Sequence, residues 1–245
     1  MVKLFNKELP LVSVNMVAHN SEQHIGQSIK SILNQTYTNF ELIIVNDGSN
    51  DNTLKEINNF NDSRIKIINL PKNVGIPIAR NIALENSNGK YIAIQDSDDI
   101  SLEHRISKQI QFLEKNTDYG LVGSRAELID GNGKSLNKIQ SESFNQAETK
   151  VMLFFKNCIT HSSVIYRVES VKDLMFNTKM QVAEDYDLIV KITLKEKLKN
   201  LNDVLVKYRV YENNITLDDK LQKKYQNKVT QFQFSRLGLI ANKNN

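Results

Sequence analysis

The chain has 245 residues, enough for one large α/β domain or for a domain plus an extension, and its 40% apolar and 24% charged residues, with a net charge of +4, are ordinary for a soluble globular protein. The lysines and arginines are scattered except in a Lys-rich C-terminal region, which argues against a nucleic-acid partner. The lone Cys158 rules out an internal disulfide, no apolar run reaches the ~18 residues of a membrane span, and Met1–Glu8 lacks the apolar core of a signal peptide, so the sequence predicts a cytoplasmic protein.

In chain order, Leu11–Val17 reads as a strand, and Ser21 as the cap of a helix with Ile25, Ile29, Ile32 and Leu33 on one face. Phe40–Val45 is a second, β-branched strand that runs into the turn Asn46-Asp47-Gly48-Ser49. A short helix is expected near Thr53–Asn59 and a strand at Ile65–Ile68. Asn73-Val74-Gly75 opens a helix with Ile78, Ala79, Ile82 and Ala83 inward, and Tyr91–Gln95 forms a fourth strand. This alternation predicts parallel strands joined by helical crossovers. Ile106, Ile110 and Leu113 mark the next helix.

The second half changes character. Leu121–Gly123 looks like a strand, and Ala126–Ile129 with Lys134–Ile139 flank a hairpin turn at Asp130-Gly131-Asn132-Gly133. Helices are expected over Gln146–Phe155 and after Glu184-Asp185, strands over Ser163–Arg167 and Val204–Tyr208, and a polar helix over about Asp218–Leu239. Cys158, with Ile159 and Phe155 nearby, reads as a buried thiol. No linker is visible.

The chemistry gathers at strand ends. Asp96-Ser97-Asp98-Asp99 follows an apolar strand, and ligands of open α/β sheets bind beyond the carboxyl ends of the strands. Carboxylates at i and i+2 of an extended chain face one side, so Asp96 and Asp98 can share a hard divalent cation. His19-Asn20 and Asp47-Gly48-Ser49 end the first two strands on the same rim, and Arg80 offers a positive group one turn into its helix. Such a cleft suits a phosphorylated ligand. The same acidic stretch also reads as a solvated loop before a helix capped by Ser101. A phosphate-binding P-loop is excluded because Leu128 stands where its first glycine belongs. A dinucleotide Gly-x-Gly-x-x-Gly, an EF-hand, zinc spacing among His19, His24, His104 and His161, and a Gly-x-Ser-x-Gly elbow are all absent.

In this order and spacing the motifs resemble family 2 glycosyltransferases of the GT-A fold, over about Leu11 to Thr216. They are Val12-Ser13-Val14 with His19-Asn20, Ser31–Tyr37, Phe40–Ser49, Asn73-Val74-Gly75 with Ala79-Arg80-Asn81, and Gly89–Ala93 with Asp96–Asp99. His161-Ser162-Ser163, Ala183–Leu188 and Tyr208-Arg209 complete the set. The resemblance implies an α/β GT-A fold with a mostly parallel central sheet flanked by helices. It divides the chain into one domain at 1–216, with a nucleotide-binding half at 10–100 and an acceptor-side half at 101–216, and a helical extension at 217–245.

The implied activity is inverting transfer from a nucleoside-diphosphate sugar, UDP by preference, with manganese or magnesium, to a saccharide or lipid-linked saccharide acceptor of a bacterial surface polysaccharide or glycolipid. By position, Asp185 is the implied general base, with Glu184 in support. Asp98 is the implied metal ligand, and Asp96 contacts the metal or the ribose. Asp47 accepts from the nucleobase, His19 stacks on it, and Asn20, Arg80 and Ser97 lie along the nucleotide. His161 lies near the diphosphate or metal. Asn46, His19 and Tyr211 depart from the commoner aspartate, tyrosine and histidine. A nucleotidyltransferase and a catalytically silent domain of the same fold are the competing readings. The C-terminal stripe of Leu217, Leu221, Tyr225, Val229, Phe232, Leu237 and Ile240, beside several lysines, reads either as a helix packed on the domain or a second subunit, or as a peripheral contact with the inner face of the cell membrane.

Overall fold

A computed structural model of the chain describes residues 9–211 and 219–239. Met1–Glu8, the expected boundary at 216/217, and Leu217 and Ile240 of the C-terminal stripe lie outside the described residues.

The first half alternates as expected: β1 (Val12–Ala18), α1 (Ile25–Leu33), β2 (Phe40–Asp47), α2 (Thr53–Asn58), β3 (Ile65–Leu70), α3 (Ile76–Glu85) and β4 (Tyr91–Asp96). The strands are parallel, in the order β3-β2-β1-β4. Ile25, Ile29 and Ile32 of α1 pack on Val12, Val14, Met16, Leu42 and Ile44. Ala79 and Ala83 of α3 pack on Ile43 and Val45, across the sheet. Cover on both faces explains why these strands are apolar without alternation. Ile78 corrects the expected inner face of α3: it is 39% exposed, while Ala79 and Ala83 are buried. Ser21 is not the cap of α1. The helix starts four residues later at Ile25, and the Ser21 hydroxyl pairs with Ser97 Oγ at 2.8 Å.

The second half contains β5 (Ile100–Ser101), α4 (Arg105–Lys115), β6 (Tyr119–Ile129), β7 (Ser135–Gln140) and α5 (Gln146–Met152). A 3-10 turn at His161–Ser163 leads to β8 (Ile165–Arg167), α6 (Val168–Val171), α7 (Glu184–Thr193), β9 (Lys197–Arg209) and α8 (Asp219–Arg236). The described residues form a 9-stranded mixed sheet. It continues from β4 through antiparallel β8 to β6, β9 and β5, with β7 as the hairpin partner of β6.

The two short strands read at 121–123 and 126–129 are one strand, β6. The polar pair Ser124-Arg125 that interrupts the apolar pattern marks register shifts against β9, not a chain break. Ser101 does not cap α4; it lies in β5, paired with Val206, and its hydroxyl donates to Gln95. α5 stops at Met152 rather than Phe155, where the Leu153 carbonyl accepts from Tyr186 and Gln233. α8 buries Tyr225 and Val229 in the cluster that holds Tyr186 and Leu188, so this helix packs on the domain.

Candidate active site

In-register parallel pairing brings three strand ends level: Ala18 lies beside Asn46, and Val17 beside Asp96. They open on a cleft of about 1240 Å³. His19, Asn20, Asp47, Arg80, Asp96, Ser97, Asp98, His161, Glu184 and Asp185, every site residue expected from the sequence, line it.

At one end, hydrogen bonds lace the loops after β1 and β2 together. Asn20 Oδ1 accepts from the Asn50 amide at 2.9 Å, and Ser49 Oγ accepts from the Asn20 amide at 3.1 Å. His19 is exposed, with Nδ1 2.7 Å from the Asp47 carbonyl. Asp47 itself is 1% exposed, and its two oxygens accept from the amides of Val74 and Gly75 at 2.7 and 3.1 Å. Its observed partners are therefore backbone groups of the loop before α3. Gly48 has φ +61, and a Cβ there would lie 2.2 Å from the Lys72 carbonyl carbon, so only glycine lets these loops approach.

In the middle, the acidic stretch is held from behind. Asp99 is 1% exposed and accepts from Ser162 Oγ and, at 2.8 Å, from the Arg209 amide. Arg209 Nε donates to the Asp98 carbonyl at 2.8 Å, and its other nitrogens reach Asp130, Gly131 and Gln27. Asp98 lies toward the cleft, with Tyr211 donating to Oδ2 at 2.9 Å. Burial and then the Asp96 charge push its carboxyl up to about 6.

At the other end, α7 opens on Ala183, whose φ of +60 is left-handed and whose side chain makes no capping bond. Glu184 is buried and paired with Arg80 Nη1, while Arg80 Nη2 lies 3.2 Å from Asp96 Oδ1. Asp185 sits deep but partly open to the cleft, and accepts from Asn157 Nδ2 at 2.8 Å. Burial and then Glu184 push its carboxyl up to about 7, against the pull of Arg80. His161 is buried beside Phe176 and Tyr166, and neither ring nitrogen has a hydrogen-bond partner among the described residues. Burial, then Arg80 and Arg105, hold it well below its usual 6.5, so it is neutral. Cys158 is a buried thiol at the cleft wall, pushed up to about 11 by burial.

Among the described residues no group of three His, Cys, Asp or Glu side chains could cage a metal. Two carboxylates at one strand end still fit a hard cation that completes its oxygen shell from substrate phosphates, as magnesium-type sites do. Sequence reasoning assigned no role to Asn157, Phe176, Ser162, Arg209 or Tyr211. Of these Ser162, Arg209 and Tyr211 stand in or beside recognisable motifs. The others act through contacts distant in sequence.

Residues 13–175 match the sequence profile described as Glycosyl transferase family 2. An uncharacterised glycosyltransferase of Methanocaldococcus jannaschii is 35% identical over 206 residues, covering 82% of this chain and 71% of the relative. The O-antigen biosynthesis glycosyltransferase WbnJ of Escherichia coli is 34% identical over 215 residues, covering 83% of this chain and 81% of the relative. Among solved structures, S. aureus TarS 1–349 in complex with UDP-GlcNAc superposes with a TM-score of 0.70 at 22% identity, over 83% of this chain and 59% of that one. The mannosyltransferase PcManGT of Pyrobaculum calidifontis, in complex with GDP-Man and Mn2+, gives 0.71 at 15% identity, over 94% of this chain and 65% of that one. The chain thus spans less than two thirds of either structure. The shared architecture is the GT-A fold, a mixed α/β arrangement around one central sheet.

Proposed function

This chain belongs to glycosyl transferase family 2, and from that premise we propose that it transfers a sugar with inversion from a nucleoside-diphosphate donor, UDP by preference, to a hydroxyl acceptor. The observation that carries the reading is the convergence of Asp98, from the end of β4, and Asp185, from the start of α7, on one cleft. Inversion is one in-line displacement: the bond from the anomeric carbon to the diphosphate breaks as the bond to the acceptor oxygen forms. A base on the acceptor side must take the hydroxyl proton. Asp185 has the position, and a raised proton affinity that suits a base working near neutrality.

Asp98 and Asp96 would hold the divalent cation, which supplies charge neutralisation at the departing diphosphate. Arg209 fixes the backbone of Asp98, and Tyr211 orients its carboxylate. The left-handed Ala183 aims the first turn of α7 at the cleft. His19 and Asn20 line the nucleotide end, and Asp47 holds the adjoining loop. His161 is a neutral imidazole available to the diphosphate.

The UDP preference draws on the UDP-GlcNAc bound to TarS, and a surface-polysaccharide acceptor draws on the O-antigen relative. No helix among the described residues is long and apolar enough to cross a membrane. A lipid-linked acceptor would meet the protein at the inner face of the cell membrane.

The test is a split between two variants. With UDP and Mn2+ the wild type gains thermal stability by RT ln(1 + [L]/Kd), about 2.7 kcal/mol at 100 Kd. Asp98→Ala should lose that gain. Asp185→Asn should keep it while turnover of a UDP-sugar falls by ~10²–10⁴-fold. Full turnover in Asp185→Asn, or an unchanged UDP–Mn2+ response in Asp98→Ala, would overturn the assignment.

A further inference from the structure

We propose that Arg80 is a positioning residue for Asp185, acting through Glu184 at the first turn of α7 rather than on the nucleotide. The inference rests on the reading of Asp185 as the base.

The Arg80 guanidinium stands where α3, the end of β4 and the start of α7 meet. One nitrogen donates to Glu184 and another lies 3.2 Å from Asp96, while its carbon sits 5.6 Å from the centre of the Phe176 ring. The next residue repeats the connection: Asn81 Nδ2 donates to the Phe176 carbonyl at 2.9 Å, and the Phe176 amide donates back to Asn81 Oδ1 at 2.8 Å. Two consecutive residues of α3 thus tie the segment that leads into α7.

That segment needs external ties. Ala183 provides no side-chain cap and occupies the left-handed region, which is costly for a residue other than glycine. The first turn is held by the side chains it places in the protein: the buried Tyr186 on the Leu153 carbonyl, Glu184 on Arg80, and Asp185 on Asn157, and of these only the Arg80–Glu184 grip ties it to α3 and β4. Glu184 and Asp185 are consecutive on the helix, so the Arg80 grip on Glu184 restrains the backbone turn from which Asp185 projects.

The electrostatics agree with the geometry. The charged and titratable groups facing Asp185 are Glu184 on its own helix, Arg80 on α3, Asp96 on β4 and Tyr166 on β8. His161, beside Tyr166, is neutral. Glu184 raises the proton affinity of Asp185 and Arg80 lowers it, so the Arg80–Glu184 pair sets the balance between two adjacent acids. A planar fork can bridge two carboxylates; an ammonium is a single point charge.

The test needs no known acceptor. The Asp185 carboxyl is titrated by 13C NMR, its signal identified by its loss in Asp185→Asn, and affinity for UDP with Mn2+ is measured by calorimetry. Arg80→Met should raise the Asp185 midpoint by about one pH unit or more, a tenfold change in the proton equilibrium. Arg80→Lys should raise it less. Glu184→Gln should lower it, and the double variant Arg80→Met/Glu184→Gln should return toward wild type. If Arg80→Met fails to fold, Arg80→Lys and Glu184→Gln carry the test. An unmoved midpoint in these variants, or a tenfold or greater loss of UDP affinity in Arg80→Lys with the midpoint unmoved, would overturn the proposal. Retained turnover in Asp185→Asn would instead remove the base assignment and leave the coupling of Arg80 to this carboxyl standing.

Discussion

Asp185 keeps its proton to about pH 7 because it is deep in the cleft beside a second acid, Glu184. A base must be ionised to act, so turnover should rise with pH through about 7 and level off above it, read as kcat/KM against pH, which reports the free enzyme. The same shift has a stability sign. The folded-state value lies above the unfolded value of 3.8, so folding takes up a proton between those two values, and the protein weakens as pH rises through that window. Asp185→Asn should therefore raise Tm at pH 8, at about 2–4 °C per kcal/mol for a domain of this size, with the gain shrinking toward pH 4. A Tm gain that is the same at both pH values would contradict this. Asp96–Asp99 could be picked out in the sequence because they end an apolar run. The dependence of Asp185 on Asn157, 28 residues away, left no local signature.

Elements place these residues. The loops after β2 and β3 close against each other through Gly48 and through the Asp47 carboxylate, which accepts from the amides of Val74 and Gly75. Gly48→Ala would put a methyl 2.2 Å from the Lys72 backbone at a φ of +61. It should cost more than about 1 kcal/mol and weaken UDP binding, measured by thermal denaturation and calorimetry. Wild-type values for both would mean that the loops do not need this approach. The turn was evident from Asn-Asp-Gly-Ser; its partner loop was not. The helix starts show the same division. Ser21 looks like a cap, but its hydroxyl pairs with Ser97, a residue 76 positions away. Local capping chemistry yielded there to a contact between strand ends.

At the scale of the whole molecule, Arg209 joins parts distant in the chain. From the end of β9 it reaches the Asp98 carbonyl, the hairpin carbonyls of Asp130 and Gly131, and Gln27 of α1, while its amide serves Asp99. It is 1% exposed. Arg209→Met should lower stability by about 3 kcal/mol or more, since buried acceptors left unpaired cost about 1–3 kcal/mol each, and should abolish the UDP–Mn2+ stabilisation. A variant with wild-type Tm and an intact nucleotide response would contradict that role. Periodicity and turn chemistry in the sequence alone determined the parallel first half, the rim of strand ends and the acidic stretch, because apolar runs and glycine turns are local signals. Only the tertiary structure decided that β6 is one bulged strand, that Arg80 faces Glu184 and Asp96, and that Asp47 turns onto backbone amides. Those outcomes depend on which segments meet across the sheet, and a buried charge takes the partner that packing brings to it.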